Sequence, residues 1–209
     1  MGVATIDITE SHLLVVEGKE EEVFFGALIK HLGLQKVQII PIGGKKNLRQ
    51  NLKILAKSPQ FKNAVVAMGI VRDADDNPAA AFQSVSDALQ AAGLSVPESP
   101  SMPAGNTPKI TIMILPEGGA SGMLEDLCLK AVENDNARIC VEQYFQCLQQ
   151  KGLSFPRNMS KARVQVFLAS RSESGKRLGE AAEAGYWPWD NQAFAEVKKF
   201  IKQIDTIES

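Results

Sequence analysis

The sequence predicts an α/β fold in which a mainly parallel four-stranded sheet is flanked by helices and followed by a helical C-terminal extension. Three observations lead to it. Four short apolar runs, at residues 11–16, 37–42, 64–71 and 109–115, have the length of buried strands. Each is followed by a segment of helical spacing, and that alternation builds βα units. Beyond residue 135 the strand-like runs stop and only helical patterns continue. The expected division is an α/β domain over 1–135 and a helical extension over 136–209 packed on it.

Taken in order, residues 3–8 read as an edge strand. The run at 11–16 ends in Glu17-Gly18, and Lys19-Glu20-Glu21-Glu22 opens a helix through His31, with Gly33 as its terminator. Glutamates in a first turn suit the helix dipole, which accounts for Glu20 to Glu22 without any function. Glu17 differs, because it stands at a strand end, and Glu17 and Glu21 are spaced to face one metal. In the second run Pro41 marks an edge or a bulge. The Gly43-Gly44 turn that follows lacks the spacing and the Ser or Thr of a P-loop. A helix over 46–57 then sets Leu48, Leu52 and Leu55 on one face and Lys46, Arg49, Lys53 and Lys57 on the other. That second face carries no acid, so Lys46, Arg49, Lys53 and the later Arg72 are candidate phosphate contacts, with a merely solvated face as the alternative.

The third run ends in Arg72-Asp73-Ala74-Asp75-Asp76, before Asn77-Pro78 opens a helix with a core stripe of Phe82, Val85, Leu89 and Ala92. Carboxylates crowded at a strand end repel one another, and open α/β sheets bind ligands at that end. A hard divalent cation, Mg²⁺ or Mn²⁺, offsets such charge with oxygen ligands. Cap and turn chemistry for Asp75-Asp76-Asn77 is the competing reading. The Pro/Ser/Gly-rich segment 95–108 reads as a flap or a mobile loop. After the fourth run, Glu125-Asp126 interrupts an apolar helix, either as a first-turn acidic pair or as a late metal ligand. Further helices are expected over 137–151, 160–170, 175–184 and 192–204. Trp187 and Trp189 read as a lock of the tail onto the core, with base stacking the alternative.

Composition narrows the function classes. The 209 residues carry a net charge of −1, which by itself argues against nucleic acid, but the charge is segregated. Residues 1–22 hold six acids and one base, residues 23–72 hold nine bases and no acid, and residues 73–209 hold 13 bases and 18 acids. A basic surface beside an acidic site is the implied footprint. No apolar run approaches the roughly 20 residues that span a bilayer. The N-terminus has no basic start followed by an apolar core, and Ile6 replaces the Ser or Thr that a myristoylation motif needs after Met1-Gly2. Cys128, Cys140 and Cys147 lack zinc-ligand spacing, so reduced, buried thiols in a cytoplasmic protein are expected.

The order of parts is specific. A Glu-Gly turn follows strand one, a Gly-Gly turn follows strand two, and Asp73-Ala74-Asp75 follows strand three. This resembles the Toprim domain shared by primases, topoisomerases, recombination proteins and OLD-family nucleases. The Glu-Gly start, an acid four positions on and the pair Phe24-Phe25 are most similar to the OLD-type branch and its uncharacterised stand-alone Toprim proteins. The resemblance implies that Glu17 is a metal ligand or general acid/base and that Glu21, Asp73 and Asp75 are further acids of a one- or two-metal site. Glu125 or Asp126 would complete it, and Lys161 stands for the lysine that such enzymes place near the scissile phosphate. Glu21 departs from the pattern, because the OLD branch usually has Asp there. The P-loop ATPase half of full OLD proteins has no counterpart in these residues, so a separate ATPase is an expected partner, as is a homodimer. The implied function is Mg²⁺- or Mn²⁺-dependent phosphodiester chemistry on DNA or RNA. A non-catalytic module that binds metal or nucleotide is the rival, and phosphotransfer on small esters is a third reading.

Overall fold

In the computed structural model, which describes residues 7–116 and 118–207, the sheet has four strands, all parallel, in the order β2-β1-β3-β4. The strands are β1 (His12–Val16), β2 (Val37–Pro41), β3 (Ala67–Asp73) and β4 (Lys109–Leu115). From β1 the chain crosses to β2 on one side and returns to β3 on the other, so the order reverses between the two central strands. Pro41 lies in an edge strand, where a missing ladder donor is tolerated. The edge strand expected over 3–8 falls outside the described residues but for Asp7 and Ile8, which are not in a strand. That segment is tied to β2 by a side chain: Gln38 accepts from Thr9 N at 2.8 Å and donates to Asp7 O at 2.7 Å.

Helices cover both faces. On one face lie α2 (Leu48–Lys57), α3 (Pro59–Ala64) and α4 (Pro78–Ala92), burying Leu52, Phe61 and Val85 against Leu13, Met68 and Ile112. The other carries α1 (Lys19–His31), α5 (Leu124–Ala131), α6 (Ala137–Gln150), α7 (Met159–Ala169), α8 (Leu178–Glu183) and α9 (Ala195–Asp205). The cap chemistry of α4 is as its sequence requires: Asn77 accepts from Ala80 N at 3.0 Å, Pro78 opens the helix, and Gly93 closes it at φ 72°. Its core stripe runs through Ala81, Val85, Ala88 and Leu89, while Phe82 and Ala92 are only partly buried.

Four expectations need correction. The helix expected over 175–184 is shorter, Leu178–Glu183, because Glu180 accepts from Arg177 N and starts it there. The third strand begins at Ala67 instead of Ala64, because Ser58 caps the short helix α3 by accepting from Phe61 N at 3.2 Å and Pro59 starts it. The segment 95–108 is no free flap. Ser101 N donates to Ile112 O, and Ala104 and Ile110 exchange backbone hydrogen bonds at 2.8 Å, so the loop sheathes the β4 edge. Of the cysteines only Cys128 is buried, and Cys140 and Cys147 stand exposed on α6.

The tail is locked by its aromatics. Trp187 stacks on Phe167 at 5.9 Å and donates from Nε1 to Leu178 O, while Trp189 packs edge-on against Phe24 at 5.2 Å. Both indoles are buried, which removes them from any base-stacking role. α9 lies directly on β3, where Gly69 leaves it room: a Cβ there would overlap Ile204 Cδ1 and stand 3.0 Å from Phe200 Cζ. Gly69→Ala is expected to destabilise the protein by about 1–3 kcal/mol through overpacking, read as a lower urea midpoint. An unchanged midpoint would mean that α9 shifts freely.

Candidate functional site

β1 and β3 are neighbours, so their carboxyl ends open onto one crevice at the point where the strand order reverses, the usual ligand position in an open α/β sheet. Glu17 follows β1 directly and Asp73 ends β3. Side chains alternate along a strand, and this alternation splits the acids into two groups.

Arg72 follows Met68 and Ile70 onto the α2/α4 face. It is buried, forms an ion pair with Glu17, and reaches Asp75 Oδ2 at 3.4 Å. Lys45, in the turn after Gly43-Gly44, holds the same Asp75 oxygen at 2.9 Å. Asp75 adopts a left-handed backbone (φ 50°), and its carbonyl accepts from Gly122 N at 2.7 Å, which fixes the turn. In this first group, acids and cations are matched.

Asp73 points the other way, with Ala67 and Val71, toward α1 and α5. It accepts from Leu124 N at 3.0 Å and so caps the start of α5. Burial, then the charges of Glu125 and Glu21, push its carboxyl up to about 7 against the Leu124 N–H, with Asp75 adding to the rise. Glu125 is also pushed up, first by burial, with Lys161 opposing and Glu21 and Asp126 adding to it. Lys161, in the first turn of α7, stands 3.7 Å from Glu125. In this second group Glu21, Asp73 and Glu125 are three carboxylates with one distant cation. Burial, then the charges of Glu125, Asp73 and Asp126, raise the Cys128 thiol well above its ordinary value.

Asp126 is engaged differently. Its Oδ2 accepts from Met123 N at 2.9 Å and its Oδ1 from Ser160 Oγ at 2.5 Å, so it joins the starts of α5 and α7. The basic residues expected to touch nucleic acid separate as well. Lys46 and Arg49 are exposed and line a hollow between α2 and α4 with Gln83 and Asp87, Lys53 is half-buried, and Arg72 belongs to the crevice itself. Sequence reasoning missed Lys45, which sits in the Gly-Gly turn it had set aside. It also missed Lys176 and Arg177, which it had set inside a helix over 175–184; the structure puts them in the turn before α8, which starts at Leu178.

A family model described as Protein of unknown function (DUF3226) matches residues 11–205. The chain belongs to this family. No curated protein and no solved structure matches it. The DUF3226 match runs unbroken from β1 to the end of α9, so it takes in both acid groups and the helices that follow residue 135.

Among the described residues of this DUF3226 chain, no group of three or more His, Cys, Asp or Glu side chains forms a ready metal cage. The donor chemistry suits a hard cation all the same: the crowded donors are carboxylate oxygens, and their mutual repulsion is what such an ion relieves.

The metal-free protein has a signature in pH. Asp73 in the fold keeps its proton to about 7, whereas the unfolded chain releases it near 3.8. The stability this proton confers is therefore complete below pH 3.8 and lost as pH rises through about 7. That interval is worth at most about 4 kcal/mol. Asp73→Asn, which can still accept from Leu124 N, is expected to gain on the wild type between pH 4 and pH 8, measured by urea unfolding with a chelator present. A pH-independent difference would place Asp73 outside the repulsive group.

Proposed function

We propose that this protein performs divalent-metal-dependent phosphodiester chemistry on nucleic acid. The observation that carries the reading is the group of Glu21, Asp73 and Glu125 at the topological switch point, where burial and mutual repulsion raise the proton affinity of Asp73. The Toprim-like order of Glu17-Gly18, Gly43-Gly44 and Asp73-Ala74-Asp75 supports it as a resemblance. Mg²⁺ or Mn²⁺, when bound, supplies positive charge against the transferring phosphate and favours hydroxide over water. Glu21, Asp73 and Glu125 would hold it, with Glu17 joining if the Arg72 pair opens. The chain's own contributions are positional. Asp73 is fixed to α5 by Leu124 N, Glu21 stands on the first turn of α1, and Lys161 stands beside Glu125 to face phosphate charge. A separate P-loop ATPase remains a partner in this reading, and Lys46, Arg49 and Lys53 would meet more distant backbone phosphates.

The closed Glu17–Arg72 pair favours a second reading, a non-catalytic module that binds metal or nucleotide, because Arg72 already neutralises an acid that the catalytic reading needs. Calorimetric titration of Mn²⁺ separates the cases. The catalytic reading expects saturable binding to the wild type, its loss in Asp73→Ala, and Mn²⁺-dependent cleavage of DNA or RNA that falls by about 10²-fold or more in the same variant. Metal binding without cleavage of either nucleic acid, with or without an ATPase, would leave the module. An absence of metal binding even with oligonucleotide present would remove the metal reading altogether.

A further inference from the structure

We propose that the backbone phosphate of a nucleic acid is held in the cleft formed by Lys161, Lys176 and Arg177, on the C-terminal side of the acidic crevice, and not by the basic stripe of α2. This rests on the metal-dependent reading above and names the part of the site that receives the substrate. The cleft, of about 360 Å³, is lined by these three cations together with Glu20 and Glu125. Glu125 is shared with the uncompensated acid group, so a phosphate in the cleft would have cations on one side and the acid group on the other. The hollow that Lys46 and Arg49 line contains none of Glu21, Asp73 or Glu125.

The contacts within the cleft are the kind that an anion displaces. Lys161 Nζ to Glu125 and Arg177 Nη1 to Glu20 are both 3.7 Å, near the outer limit of an ion pair, and both cations are more than half exposed. Pairs of that length in solvent are weak. A phosphate offers Arg177 a two-pronged acceptor and Lys161 a closer point charge. Lys176 differs: Glu173, a residue outside the cleft lining, pairs with it at 3.1 Å, so a phosphate would recruit it in competition with that partner. The backbone that carries these side chains is anchored. Glu20 Oε2 accepts from Gly179 N at 3.2 Å, and a Cβ on Gly179 would stand 2.8 Å from Glu20 O and Val23 Cβ, so α8 is seated tightly on α1 beside the acids. The cations are thus presented from a fixed wall.

The test is the binding of a fluorescent single-stranded oligonucleotide, DNA in one arm and RNA in another, followed by anisotropy with Ca²⁺ in place of Mg²⁺ to suppress turnover. Adenosine monophosphate serves as competitor. Lys176→Ala/Arg177→Ala is expected to weaken binding by about tenfold or more and to lower the slope of log affinity against log salt by about one to two. Lys46→Ala/Arg49→Ala is expected to change affinity by less than about threefold. Equal losses in the two variants, or a larger loss in the α2 variant, would overturn the assignment. So would full displacement by the mononucleotide, which would make a small phosphate ester the ligand, and so would an absence of binding by the wild type in both arms. Circular dichroism of the variants separates misfolding from lost contact, and a conservative Lys176→Arg/Arg177→Lys variant must restore most of the affinity. Mn²⁺ titration of the wild type decides the metal reading separately: oligonucleotide held by the cleft with no Mn²⁺ bound even in its presence would retire the catalytic reading and leave the cleft in place.

Discussion

Like charges at the ends of two adjacent buried strands cannot all ionise without partners, and the arrangement of this protein follows from that constraint. Because β1 and β3 are parallel neighbours, Glu17 and Asp73 necessarily emerge into the same crevice. Alternation along β3 sends Arg72 to one face and Asp73 to the other, so a single cation cannot serve both. On the Arg72 side the solution is ionic, with Arg72 and Lys45 matched to Glu17 and Asp75. On the Asp73 side it is made of helix starts and protons. Asp73 accepts from Leu124 N–H, Asp126 from Ser160 Oγ, and Glu20 from Gly179 N–H, so the acids seat α5, α7 and α8 in turn. The C-terminal helices are placed by the same groups that make the crevice chemically unusual.

Much of the fold was legible because apolar length is a strong signal. Runs of six to eight residues separated by helical spacing leave few topologies other than parallel βα units. What escaped was local. Ser58-Pro59 starts a helix with only six residues of its own, too short to register as a period, and this moved the start of β3 by three positions. The exposure of Cys140 and Cys147 was hidden because cysteine counts as apolar wherever it stands. At the site, Glu17, Asp73 and Asp75 could be found because acids at strand ends break a hydrophobic pattern. The role of Arg72 was equally available: it lies in register with Met68 and Ile70, and a charge in a buried register must be paired. Lys176 and Arg177 were read as the start of a helix, and their place in the turn before it, near Glu125, is purely tertiary.

The segment beyond residue 135 supplies half of the core layer on the α1/α5 face of the sheet. Leu14, Ala67 and Val71 on one sheet face meet Phe194, Val197, Phe200, Ile201 and Ile204. Gly69 lets α9 approach β3 more closely than any larger residue would. Without that layer a face of the central strands would stand open to water, so sheet and tail are mutually dependent. Lys161 and Arg177 are accordingly held to the acids by the whole hydrophobic layer and not by a hinge.

The remaining imbalance bears on what the crevice is for. Six carboxylates, Glu17, Glu21, Asp73, Asp75, Glu125 and Asp126, share it with three cations, Lys45, Arg72 and Lys161. A proton on Asp73 relieves one of the three surplus charges. A purely structural site has simpler remedies, because replacing a buried ion pair or a repelling acid with apolar side chains is often neutral or stabilising. Acids retained although they repel one another in a buried crevice mark a candidate functional site, and the metal-dependent reading proposed above would account for them with a cation that arrives from outside. Arg72 then has a second consequence. While it holds Glu17 it lowers the charge that an incoming ion would meet, and an ion that recruited Glu17 would leave the guanidinium free to meet an anion. Opening of that one pair would convert a charge-balanced wall of the crevice into a ligand and an anion contact at once.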